Sequence, residues 1–159
     1  MNRLLLSSSL LLTCLLPSCV QYYRLPEGYT GPTARIINTG EAQDAFKSSV
    51  FQVSKIDGKI VPTSPMQTPY GGGPVVTMGD SSVEVPANQP TQIEITGGDR
   101  FAADGAALAY GLSGNVSKTA TETFTFTPKR NATYVVRGQL GKQASQVWME
   151  DKSTGRRLP

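Results

Sequence analysis

Apolar and polar residues alternate in short runs along most of this chain, and glycine and proline cut the runs apart. Thr91-Gln-Ile-Glu-Ile-Thr96 is the cleanest run, with Ile93 and Ile95 on one face and Gln92 and Glu94 on the other. Thr121-Glu-Thr-Phe-Thr-Phe-Thr127 repeats the pattern, Phe124 and Phe126 inward and threonines outward. A period of two predicts half-buried strands. Further strands are predicted over residues 33–38, 50–56, 75–78, 82–85, 133–140 and 146–151, the last two as an antiparallel pair. Asp57-Gly58 between apolar runs predicts a type I′ hairpin turn into Lys59-Ile60-Val61, because both central residues need positive φ. Residues 62–74 are dense in proline and glycine and read as a long loop. The best helical candidate, Gly40 to Ser48, makes two turns at most. Residues 101–117 are rich in Ala and Gly. Within them Ala106 to Leu112 is read as a strand of small residues, with a short helix as the alternative.

Many short strands with such turns indicate an all-β fold, here a single antiparallel β-sandwich of immunoglobulin-like or transthyretin-like shape. The expected core is Ile36, Phe51, Val53, Ile93, Ile95, Phe124, Phe126, Tyr134, Val136 and Trp148.

The first nineteen residues break the β pattern. Met1-Asn2-Arg3 precedes an apolar run from Leu4 to Leu16, the layout of a secretory leader. The run is short of the roughly 20 apolar residues that span a bilayer. Leu16-Pro17-Ser18-Cys19 resembles the lipobox of bacterial lipoproteins. That resemblance implies a diacylglycerol on the Cys19 thiol, cleavage before it and acylation of the new amino terminus. Two or three acyl chains anchor durably where one binds reversibly. Cys14, after Leu11-Leu12-Thr13, is assigned to the discarded leader. The expected organisation is a signal peptide over 1–18, a lipid-anchored tether over 19–32, and a β-sandwich domain over 33–159. Pro26, Gly28, Gly31 and Pro32 break regular structure in the tether. Its Tyr22, Tyr23 and Tyr29 either rest at the membrane interface or cover an edge of the domain.

Charge and composition narrow the chemistry. Loss of Arg3 with the leader takes the net charge from +3 to about +2, with the basic residues scattered, so nucleic-acid binding is not expected. The chain has no histidine, which removes histidine-based triads, zinc ligands and pH switches. With Cys14 discarded and Cys19 acylated, no thiol is left for a disulfide or a nucleophile. No cofactor and no metal are expected.

Three acidic or glycine-rich spots invite a site and fit one poorly. Glu150 and Asp151 are adjacent on a strand and point to opposite faces. They read as a solvated Glu150 and an Asp151 that bonds its own turn with Thr154 and Gly155. Gly71-Gly-Gly-Pro74 lacks the following helix of a phosphate cradle. Asp99, Arg100 and Asp104 lack the spacing of an EF-hand. The sequons Asn115-Val-Ser117 and Asn131-Ala-Thr133 carry no weight in a bacterial lipoprotein.

The phrases Val85-Pro-Ala-Asn88, Phe126-Thr-Pro, Thr133-Tyr-Val-Val-Arg-Gly-Gln-Leu140 and Val147-Trp-Met-Glu-Asp with Thr154-Gly155 resemble a group of small bacterial cell-envelope lipoproteins of unknown function. The Lys55-Ile-Asp-Gly58 hairpin fits the same group. Asn88 stands where that group tends to have glycine in the turn, and asparagine tolerates the same left-handed backbone. The resemblance implies export, a lipid anchor and a single β-domain; it implies no activity. The function expected is therefore structural, scaffolding or protein-binding, with an envelope protein as partner and the membrane held through the N-terminal lipid. The alternative is a periplasmic small-ligand or glycan-binding module. No enzymatic activity is expected. Val20 after the lipidated cysteine, in place of the aspartate of inner-membrane retention, points to the outer membrane facing the periplasm in a Gram-negative host.

Overall fold

The computed structural model describes residues 20–67 and 77–158. Ten strands and one helix are present among them: β1 Thr33–Ala42, β2 Lys47–Ile56, β3 Lys59–Ile60, β4 Met66–Gln67, β5 Thr77–Met78, β6 Ser81–Pro86, β7 Thr91–Phe101, α1 Asp104–Leu112, β8 Thr119–Phe126, β9 Thr133–Leu140 and β10 Ser145–Asp151. The fold is all-β, as the alternation predicts.

One strand organises the molecule. The first half of β1 pairs antiparallel with β6 on one side, Ile36 opposite Val83, and parallel with β9 on the other, Ile36 opposite Tyr134. From Thr39 onward the same strand pairs with β2, Thr39 opposite Phe51. The sheet therefore runs β10-β9-β1-β2-β7-β8. Its two outer strands, β8 and β10, come together without a ladder, so the sheet is nearly closed into a barrel. The parallel β1–β9 pair corrects the expectation of a purely antiparallel arrangement. Asn38 sits at the changeover and is 3 % exposed. Its carboxamide accepts from the Val53 N–H (2.9 Å) and donates to Ser81 Oγ (3.0 Å) and Thr63 Oγ1 (3.1 Å). These bonds satisfy polar groups near the bulge between Val53 and Lys55, where the regular ladder breaks.

Inside the barrel, Ile36, Val53, Ile56, Val85, Ile93, Ile95, Val136 and Met149 are fully buried around Tyr134. Seven of the ten expected core residues are buried: Ile36, Phe51, Val53, Ile93, Ile95, Tyr134 and Val136. Phe124 and Phe126 are half-buried against that core, because β8 is an outer strand. Phe126 meets Tyr134 edge-on at 5.1 Å. Trp148 is a correction: Val147 and Met149 take the inward positions of β10, so alternation turns Trp148 outward. The guanidinium of Arg157 stacks 3.6 Å from the centroid of its ring.

The turns follow their chemistry. Asp57 and Gly58 have φ of 48° and 76°, the type I′ pattern, and join β2 to β3. Asn88 has φ 63°, the left-handed conformation expected of it. Residues 104–112 form α1 and correct the strand expected over Ala106–Leu112. The run Asp-Gly-Ala-Ala-Leu-Ala-Tyr-Gly-Leu holds no β-branched residue, and its alanines and leucines are strong helix formers. Gly40–Ser48 is not helical: it spans the end of β1, a turn and the start of β2.

The chain ahead of β1 lies along the body. Tyr22 bridges to Ile60, Tyr23 N–H bonds the Ile60 carbonyl, and Tyr23 packs on the core. The Tyr23 hydroxyl donates to the Glu84 carbonyl at 3.0 Å. Burial, with the charges of Asp57, Tyr29 and Glu84 added, pushes this phenol up to about 12. Tyr23 thus covers a domain edge, whereas Tyr22 is exposed.

Candidate functional site

β2 and β7 together carry a charged layer beside the core. Asp44 sets where β2 begins: its Oδ1 accepts the N–H groups of Phe46 (2.7 Å) and Lys47 (2.8 Å). Alternation from that start places Lys47, Ser49, Phe51 and Val53 on one face, the face whose Phe51 and Val53 enter the core cluster. Pairing with β7 sets Val53 opposite Ile95, Phe51 opposite Gly97, and Ser49 opposite Asp99. Along the inner wall the lining therefore changes from aliphatic to aromatic to charged.

Phe51 is the boundary. Its ring lies between Gly97 and Gly138 of the facing strand β9, so close to both that a Cβ at either position would collide with it. Beyond the ring opens a mouth of about 400 Å³, lined by Glu41, Gln43, Lys47, Ser49, Asp99, Lys118, Leu140 and Trp148 among others. Mouths of β-barrels are recurrent binding sites, and the volume falls within the roughly 300–1,000 Å³ of ligand pockets.

An ion pair anchors the wall of the mouth. Lys47 Nζ stands 3.2 Å from Asp99 Oδ2, with side-chain exposures of 14 % and 2 %. The Lys118 N–H donates to Oδ2 at 3.2 Å, and the Ser49 hydroxyl faces Oδ1 at 3.5 Å. Lys47 also donates to the Tyr110 hydroxyl at 3.2 Å and lies 4.4 Å from the centre of that ring, which ties α1 to the ion pair. Burial pulls the Lys47 ammonium down; hydrogen bonds to Tyr110 and Asp99 and the Asp99 charge outweigh it and leave its pKa raised. A buried pair of this kind resists loss of either partner, because the remaining charge would be stranded.

The residues singled out from the sequence fall as follows. Cys19, the candidate lipidation residue, lies outside the described residues, as does Gly71-Gly-Gly-Pro74. Asp99 and Asp104 are not brought together: Asp99 is spent on Lys47, and Asp104 opens α1 at the surface. Glu150 and Asp151 point apart. Asp151 Oδ1 accepts from Ser153 N–H (2.9 Å), Ser153 Oγ (2.6 Å) and Thr154 N–H (3.3 Å), the turn expected of it. The Ser153 hydroxyl, then the Ser153 N–H, holds the Asp151 carboxyl below its ordinary pKa. Glu150 corrects the solvated expectation. It accepts the Trp148 indole N–H at 2.6 Å and faces Arg137 Nε at 3.8 Å.

Sequence reasoning missed the mouth itself. The signal was present in β2: Lys47 and Ser49 continue the inward register of Phe51 and Val53, and a charge in such a register marks where a core ends. Its partner Asp99 lies on another strand, far along the chain, and only pairing brings the two together. Among the described residues no group of three or more His, Cys, Asp or Glu side chains is placed to hold a metal, and no helix is long and apolar enough to cross a membrane. No family model, curated protein or solved structure matches this chain at a significant level.

Proposed function

We propose that this chain is a lipid-anchored cell-envelope protein whose β-domain is a non-catalytic binding module, acylated on Cys19 and facing the periplasm from the outer membrane in a Gram-negative host. The lipobox-like Leu16-Pro17-Ser18-Cys19 supports the anchor. The observation that carries a protein-binding role is the bare apolar surface at α1. This helix has no buried residue, and Leu108, Leu112 and Val116 beside it are 64 %, 81 % and 79 % exposed. It stands at the Lys47 end of β2, whereas the chain arrives from its N-terminus at the other end, beside Ile60. The nine residue steps from Lys47 to Ile56 separate the two ends by about 30 Å. An anchor at Cys19 would therefore present α1 away from its own membrane.

A second reading, a small-ligand or glycan-binding module, is favoured by the mouth above Phe51. The finer description of the fold as an immunoglobulin-like or transthyretin-like sandwich also belongs to this proposal; it rests on β6-β1-β9-β10 and β2-β7-β8 facing one another across a shared core.

Two experiments test the proposal. Cys19→Ala should abolish incorporation of an acyl-chain probe and release the protein from membranes; a wild type that incorporates no lipid would sink the anchor. Crosslinking in intact cells should trap a partner that the double variant Leu108→Glu, Leu112→Glu loses. Equal trapping by wild type and variant would remove α1 from the interface.

A further inference from the structure

The mouth holds four charged side chains, and two of them are already committed. Lys47 and Asp99 neutralise each other, and Asp99 is completed by Ser49 and the Lys118 N–H, Lys47 by Tyr110. Glu41 and Lys118 line the same cavity. Among the described residues neither side chain has an ion-pair or hydrogen-bond partner, and they do not pair with each other. Lys142 borders the adjoining hollow together with Lys118 and strengthens the positive side. Phe51, of the core, and Leu140, packed against it, add apolar lining to the same cavity.

From this arrangement we infer that the mouth takes a small zwitterion, of the class of a free amino acid or short peptide. Its ammonium end lies toward Glu41, its carboxylate toward Lys118, and its hydrocarbon over Phe51. The inference rests on the mouth being a ligand site, the second reading above. Complementarity selects the class. A simple anion would answer Lys118 and meet repulsion from Glu41. A simple cation would do the reverse, and a neutral sugar would offer hydroxyls but no opposite charge to either group.

The test is an NMR titration of the full-length protein in detergent with four probes: alanyl-alanine, its N-acetyl form, its C-terminal amide, and glucose. Alanyl-alanine at millimolar concentration should shift the amides of Ser49, Asp99 and Lys118. Each blocked form should bind about tenfold more weakly, the scale of one charge-assisted hydrogen bond. Glu41→Gln should erase the penalty for acetylation and keep that for amidation; Lys118→Met should do the opposite. Both side chains are at the surface, and unchanged melting of the variants checks their fold. Blocked forms that bind as well as the free dipeptide, or a mouth that responds to glucose alone, would overturn the zwitterion and leave the ligand site standing. No response to any probe would overturn both.

Discussion

Trp148 and Met149 are neighbours on β10 that face opposite ways, and the difference sets their energetic weight. Met149 is fully buried, so Met149→Ala should cost about 2–5 kcal/mol. Trp148 lies outside the core, where it lines the mouth, held by Arg157 stacked on its ring and by Glu150. Trp148→Ala should cost about 1 kcal/mol, the scale of a cation–π contact and a hydrogen bond at a partly exposed site. Urea melts of the two variants compare them, and a Trp148→Ala loss equal to that of Met149→Ala would place the indole in the core. Asn38 is the polar counterpart. Asn38→Ala strips three hydrogen bonds at the changeover in β1 and should cost about 1–3 kcal/mol, the penalty for buried polar groups left without partners.

Among the elements, α1 and the long strands should separate in their dynamics. The helix buries no residue and touches the body mainly through Tyr110, 5.2 Å from Phe101. Its local opening should be cheap, because exchange protection follows buried contacts. Hydrogen exchange should replace the amides of Asp104–Leu112 well before those at the centres of β2 and β7. Equal protection would mean that something covers the helix. The opposite case is the approach of β9 to β7 around Phe51. Gly138→Val would drive a side chain into that ring, and such overpacking should cost about 1–3 kcal/mol.

For the whole molecule, stability should decline at both ends of the pH scale. Hydrogen bonds from Ser54 and then Lys55 hold the Glu94 carboxyl below its ordinary pKa, and Asp151 is lowered in its turn. A lowered carboxylate contributes stability above its unfolded pKa, near 4, that is lost as pH falls through the folded value. At the alkaline end Tyr23 and Lys47 are raised. Their contribution is complete below pH of about 10 and is lost as pH rises through the folded values, about 12 for Tyr23. Denaturant melts across pH should show both declines. Tyr23→Phe should flatten the alkaline limb, and an unchanged limb would exclude Tyr23 as a source.

The sequence by itself determined the all-β class, most strand positions, the Asp57-Gly58 turn and the Asp151 turn. Each depends on neighbours within a few residues: alternation, positive φ, or a side chain bonding its own backbone. Seven core residues were legible for the same reason, since an apolar side in a clean alternation has one place to go. Trp148 was not, because β10 offers apolar residues on both faces and only packing decides which is inside. The helix at Asp104–Leu112 was ambiguous because alanine and glycine carry little periodic signal. The sharing of β1 between β6, β9 and β2, the wedge of Phe51 between Gly97 and Gly138, and the meeting of Lys47 with Asp99 were decided by the tertiary structure alone. They join residues far apart in the chain, and strand register, which no local pattern encodes, is what brings them within reach.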